Sequence, residues 1–144
     1  MDQAALQTAN PALNDWDTLS VRVYFEDTDA QGIVYFANYL RFMERGRTEW
    51  LRSRGIEQER LRQEDNLCFS LVKTAVKFVR PARFDDCLTV RTLLTRKSGA
   101  RVNFDQAVHR ADGSDELLCT AECEVACITA DTFRPRRIPA GYFD

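Results

Sequence analysis

The chain has 144 residues, 44% of them hydrophobic and 29% charged, with a formal charge of −2. That length suits one domain with a core of its own, and the composition is that of an ordinary globular protein. The small negative charge argues against a general nucleic-acid binder, which carries a basic excess, and no apolar run is long enough to insert in a membrane as a helix.

Residues 1–18 contain no Lys or Arg and no apolar stretch of the kind a secretory signal needs, so they read as a loose N-terminal arm ahead of a domain over 19–144. Val21, Val23 and Phe25 alternate with Arg22 and Tyr24, which predicts a first strand. Three carboxylates follow in Glu26-Asp27-Thr28-Asp29, and then Gly32. From Tyr35 to Arg54, Leu40, Met43, Trp50 and Leu51 recur at helical spacing. This predicts a helix about 30 Å long. Arg45 and Glu49 are placed to pair along it, and Gly55 marks its stop.

The corner between strand and helix is the informative place. The first four N–H groups of a helix lack internal partners, and Gly32, Ile33, Val34 and Tyr35 offer no good capping oxygen. Either water or Asp29 caps this helix, or the N–H groups near Phe36 stay open to a ligand oxygen at the positive end of the helix dipole. Gly32 suits both, since it takes a positive φ and lets a ligand approach the backbone. A carboxylate beside free amides meets the two needs of acyl-group hydrolysis.

Beyond the helix, residues 56–66 are highly charged and read as a loop or short helix. Period-two patterns then predict four strands, at 67–80, 87–96, 101–110 and 117–129. Pro81 ends the first, Lys97-Ser98-Gly99-Ala100 turns between the next two, and Asp112-Gly113 turns before the last. The economical arrangement is α+β, a five-stranded antiparallel sheet wrapped around one long helix. Its exposed face and edge would be covered by a second copy.

The cysteine count is odd and no Cys-x-x-Cys occurs, which points to a reducing cytoplasm rather than a disulfide framework. Cys119, Cys123 and Cys127 share one strand face with Leu117, Ala121 and Val125, as a small-residue surface for packing a helix. His109 is the lone histidine, so no Cys/His cluster is available for zinc, and no metal or cofactor is expected. A cysteine nucleophile activated by His109 has no local motif behind it.

The segment Tyr24-Phe25-Glu26-Asp27-Thr28-Asp29-Ala30-Gln31-Gly32-Ile33-Val34-Tyr35-Phe36-Ala37-Asn38-Tyr39, continued by Phe42-Met43-Glu44-Arg45-Gly46-Arg47-Thr48-Glu49-Trp50-Leu51, resembles the acyl-CoA thioesterases of the hotdog fold. It is most similar to the 4-hydroxybenzoyl-CoA thioesterase group, and within it to the family associated with the bacterial Tol–Pal gene cluster. The resemblance runs from about Val21 to Pro139. It implies hydrolysis of acyl-CoA to a free acid and coenzyme A. Asp29 would be the catalytic carboxylate, as base or nucleophile, and the Phe36 amide would polarise the thioester carbonyl. Gly32, Tyr35 and Asn38 would line the substrate. Arg96, Lys97 and Arg134 would clamp the coenzyme A phosphates, a task suited to the guanidinium fork. A homodimer or homotetramer is implied, with acyl carrier protein as the alternative acyl donor. Relatives often carry His or Tyr where this chain has Phe36, so any side-chain role at that position is missing here. A thiol leaves readily, with a pKa of about 8.5, so a carboxylate and an oxyanion donor suffice. Glu26, Asp27 and Glu44 are rival carboxylates. A non-catalytic acyl-CoA or acyl-carrier binding module and a dehydratase are the competing functions.

Overall fold

The computed structural model describes residues 16–143. Its elements run β1 (Asp17–Arg22), a 3-10 turn (Phe25–Asp27), α1 (Asn38–Ser53), α2 (Gln58–Asp65), β2 (Leu67–Phe78), β3 (Cys87–Ser98), β4 (Arg101–Arg110) and β5 (Leu117–Thr129). The strands form one antiparallel sheet in the order β1-β3-β4-β5-β2. The long helix α1 lies on one face of it. Phe42, Met43 and Trp50 from α1 share a core with Val90, Phe104, Val108 and the buried row Cys119, Cys123 and Cys127. This is the α+β hotdog arrangement, with α2 added at the end of the central helix.

Helix and sheet touch most closely at Gly46. A Cβ there would lie 2.9 Å from Val90 Cγ1 and 3.0 Å from both Gln106 Nε2 and Thr92 Oγ1. The absent side chain lets Gln106 reach the helix backbone. Its Nε2 donates to the Met43 carbonyl and to Thr92 Oγ1, each at 2.9 Å. Sheet register therefore fixes the position of α1 along its axis.

The sheet has two ends. Arg22, Phe78, Cys87, Arg110 and Leu117 mark one, where α1 begins; Leu67, Ser98, Arg101 and Thr129 mark the other. On the face away from α1, Trp16 covers Ala107 and Leu117, and His109 is fully buried.

Several boundaries differ from expectation. β1 takes in Asp17 and Thr18, which the arm over 1–18 would have included; residues 1–15 of that arm lie outside the described residues. The alternation of Val21 and Val23 holds, but Phe25 is 76% exposed because the strand has ended. Asp27 Oδ2 accepts from the Tyr24 amide at 2.8 Å and closes the 3-10 turn. Phe25 packs edge-on against Phe84 instead. The helix begins at Asn38, because the Asn38, Tyr39 and Leu40 amides bond the carbonyls three residues back, at Tyr35, Phe36 and Ala37, and the regular ladder starts only after them. It stops as expected at Gly55, φ +79°. The hairpin between β3 and β4 tightens to Gly99-Ala100, since Ser98 pairs with Arg101 and Gly99 takes φ +60°.

Candidate active site

The acidic corner is a small hairpin built from backbone bonds. Thr28 bridges Val34, the Asp29 amide donates to the Ile33 carbonyl at 2.9 Å, and the Gly32 amide returns to the Asp29 carbonyl at 3.0 Å. Asp suits the first turn position, and Gly32, at φ +80°, takes the left-handed conformation that closes it. Asp29 Oδ1 accepts from the Gln31 amide at 2.8 Å. Its Oδ2 has no donor among the described residues, and the side chain is half-buried. One oxygen thus orients the carboxylate while the other is left to act.

The candidate donors sit where the chain enters α1. Val34 donates to Ala82 and Tyr35 to Asp27, each at 2.9 Å, and Asn38 donates to Tyr35 at 2.8 Å. Between them, the amides of Phe36 and Ala37 have no acceptor among the described residues. Ala37 occupies the N-cap position with no side-chain cap. The first turn therefore keeps open donors at the positive end of the helix dipole. Asp29, which could have capped the helix, instead uses its bound oxygen on Gln31.

Two supports hold these parts together. The Asp27 carbonyl accepts from the Tyr35 amide at 2.9 Å and from Asn38 Nδ2 at 2.8 Å. Asn38 is 8% exposed, and one N–H of its side-chain amide makes that bond, which ties it to the scaffold behind the site. The second support is the loop Pro81–Asp86. The Tyr39 hydroxyl accepts from the Ala82 amide at 3.0 Å, and burial pushes the Tyr39 phenol up from its ordinary pKa. Arg110 donates to the Pro81 carbonyl at 2.9 Å and pairs with Asp86, whose carboxylate also accepts from the Arg83 amide. Ile33 bridges Arg83 in turn. Sequence reading did not find this support. Its one visible trace was an Arg and an Asp at the ends of neighbouring strands.

The remaining expected residues fall in two groups. Gly32 and Tyr35 lie at the corner, and the exposed Phe36 ring packs on Tyr35 and meets Phe78 edge-on. Arg96 and Lys97 lie near the other end of β3, and Arg134 follows β5 there. At 3.3 Å per residue, Arg96 is about 30 Å along the strand from Cys87. One chain does not bring these cations to Asp29. Of the rival carboxylates, Asp27 is committed to its turn, and Glu44, an exposed residue, accepts from the Thr48 hydroxyl at 3.2 Å.

No group of three or more His, Cys, Asp or Glu that could hold a metal occurs among the described residues. All five cysteines are free, and burial pushes the Cys119 thiol up to about 12, far from a thiolate at neutral pH. His109 lies on the face of the sheet opposite Cys119, Cys123 and Cys127, and among the described residues neither of its ring nitrogens has a hydrogen-bond partner, cysteine included.

A model of the thioesterase-like superfamily matches residues 23–142. The chain belongs to that family. It is 38% identical over 127 residues to the acyl-CoA thioesterase YbgC of Haemophilus influenzae, covering 88% of this chain and 91% of that protein. It is 41% identical over 119 residues to the acyl-CoA thioester hydrolase YbgC of Escherichia coli O6:H1, covering 83% and 87%. Among solved structures, a probable thioesterase from Bartonella henselae matches with a TM-score of 0.81 and 37% identity, over 86% of this chain and 99% of that one. An aspartate-to-asparagine mutant of 4-hydroxybenzoyl-CoA thioesterase, complexed with 4-hydroxybenzoyl-CoA, matches with a TM-score of 0.81 and 25% identity, over 89% and 96%. As a member of this family the protein is a thioester hydrolase. No helix among the described residues is long and apolar enough to cross a membrane.

Proposed function

We propose that the protein hydrolyses acyl-CoA thioesters, with Asp29 as the reacting carboxylate and the amides of Phe36 and Ala37 as oxyanion donors. The observation that carries this reading is the pair of unbound amides, flanked on both sides by bound ones, beside a carboxylate held by one oxygen. The thioester carbonyl oxygen accepts from the helix N-terminus. Asp29 either takes a proton from an attacking water or attacks the carbonyl carbon itself. The first route gives the acid directly; the second gives a mixed anhydride that water then opens. In both, the C–S bond breaks, and the sulfur leaves with the electron pair and gains a proton. The donors are preorganised where negative charge develops, which is worth about 3–4 kcal/mol per donor in comparable sites. The relatives named for acyl-CoA hydrolysis support the substrate class.

The basic residues enter through a second copy. β2 is an edge strand of twelve residues with Leu71 and Val72 exposed, the kind of edge a soluble protein covers. A copy paired antiparallel along β2 would place its own Leu67 end, with its Arg134 and the end of its β3, beside this chain's Phe78 corner. A homodimer, or a tetramer of two such dimers, would then bring Arg96, Lys97 and Arg134 toward the coenzyme A tail. The acyl chain would follow the open seam between α1 and β2. A reducing cytoplasm suits the five free thiols. Acyl carrier protein is the alternative carrier of the thioester.

The deciding experiment follows thiol release from acyl-CoA by wild type and Asp29→Asn. The expected result is a fall in kcat of at least a hundredfold with coenzyme A-ester binding retained. Near-normal turnover in the variant removes Asp29 from the chemistry. Binding without turnover in the wild type favours the non-catalytic module.

A further inference from the structure

The side of α1 that faces β2 is lined by large exposed apolar side chains, with Phe36 and Phe78 at the corner, Leu40 beyond them and Leu71 further along. Where this seam closes lies a cavity of about 140 Å³ between α1 and the sheet. Leu51, Phe69, Phe104, Val125 and Phe143 form its apolar wall, and its one cation is Arg47.

Arg47 is half-buried. Its Nη1 donates to Gln106 Oε1 at 3.0 Å and to Cys123 Sγ at 3.5 Å, and both acceptors are neutral. Among the described residues no carboxylate pairs with it, and its Nη2 and Nε have no acceptor. Glu44 lines the same cavity but accepts from Thr48 and stays exposed. A guanidinium cannot shed its charge, and withdrawing it from water without a counter-charge is costly. Gln106 holds it there. Its amide is fixed by Met43 and Thr92, so its Oε1 presents a set acceptor to one edge of the guanidinium. The free edge of the fork is left for a planar anion.

We propose that Arg47 is a specificity-determining residue that receives a carboxylate at the distal end of the acyl group, so that coenzyme A monothioesters of medium-chain dicarboxylic acids are favoured substrates. This rests on the acyl group entering the α1–β2 seam from the helix N-terminus. The spacing fits. Arg47 lies about 14 Å along the helix axis from Asn38, and helix side chains lean about one turn back toward the N-terminus. That leaves about 9 Å, roughly the span of an eight-carbon chain built from bonds of about 1.5 Å.

The test compares kcat/KM for octanoyl-CoA and suberoyl-CoA, which differ in a distal carboxylate, in wild type, Arg47→Met and Arg47→Lys. Wild type is expected to favour suberoyl-CoA by tenfold or more. Arg47→Met should lower that ratio at least a hundredfold, and Arg47→Lys, which keeps the charge without the fork, should fall between. A wild type that hydrolyses octanoyl-CoA at least as well as suberoyl-CoA overturns the proposal and leaves the thioesterase reading intact. A ratio unchanged within threefold in Arg47→Met overturns it too, and if that variant fails to fold, an unchanged ratio in Arg47→Lys does the same. A wild type that hydrolyses neither ester removes the thioesterase reading and this proposal together.

Discussion

Acid is the sharpest perturbation for this fold, because its one histidine is sealed. His109 has no exposed surface, and both ring nitrogens are buried without a partner among the described residues. Burial, and then the Arg91 guanidinium, lower its pKa to about 4, against the opposing pull of Asp115. In the unfolded chain the imidazole titrates near 6.5. Between those values the unfolded state binds a proton that the folded state refuses. The contribution is therefore complete above pH 6.5 and is lost as pH falls toward 4. At 1.36 kcal/mol per pKa unit the gap is worth about 3 kcal/mol, a large share of a typical domain stability of about 5–15 kcal/mol. Urea unfolding at pH 7, 5.5 and 4 in wild type and His109→Leu measures it. The carboxylates titrate alike in both proteins, so the difference between the two acid limbs belongs to the imidazole. His109→Leu also removes two unpartnered ring nitrogens, so its stability at pH 7 should match or exceed wild type. Its loss between pH 7 and 4 should be smaller by about 3 kcal/mol. Acid limbs that coincide within about 1 kcal/mol, or an imidazole resonance titrating near 6.5, would refute the reasoning.

Gly46→Ala should destabilise the fold by about 1–3 kcal/mol, because the new methyl meets Val90, Gln106 and Thr92 at 2.9–3.0 Å. That cost exceeds the gain of roughly 1 kcal/mol that alanine brings to a helix interior, and a rise in Tm would show that helix and sheet have room to part. Asn38→Ala should lower kcat tenfold or more while KM changes less than threefold, since the bond to Asp27 holds the turn against the helix. A raised KM with steady kcat would return Asn38 to the substrate-lining role the sequence suggested.

The strands of this fold were legible because their side chains alternate between a buried face and a second environment, and that period is written in residue order. Leu117–Thr129 and Arg101–Arg110 match the expected limits for this reason. The start of α1 was less legible. Tyr35 and Phe36 carry the helical pattern, yet the Val34 and Tyr35 amides go to Ala82 and Asp27, and Phe36 and Ala37 form a turn closed by the Asn38 amide on the Tyr35 carbonyl. The missing cap was readable, since it depends on which side chains lack an oxygen. The loop that backs the corner was not. Ala82, Asp86 and Arg110 are far along the chain from Val34 and Tyr39, and no local pattern announces that they brace them. The expected phosphate clamp was read from a cluster of cations, and residue order alone does not tell that β3 carries Arg96 away from the Asp29 corner.

Asp27 shows how a corner with so few reactive groups can be kept in register. Its side chain closes the 3-10 turn on the Tyr24 amide, and its carbonyl holds both the Tyr35 amide and the Asn38 side chain. One residue therefore joins the end of the first strand, the hairpin that presents Asp29 and the first turn of α1. Substitution of its side chain would loosen the turn but leave the carbonyl in place, whereas Asn38 is the replaceable half of the carbonyl contact. The Asp29 hairpin and the first turn of α1 are tied together by that contact, as the proposed roles of Asp29 and the Phe36 and Ala37 amides require. The proposed preorganisation is a property of the backbone, so it places no demand on the side chain at position 36. An amide donor is indifferent to the side chain it precedes, provided the chain on either side of it is held.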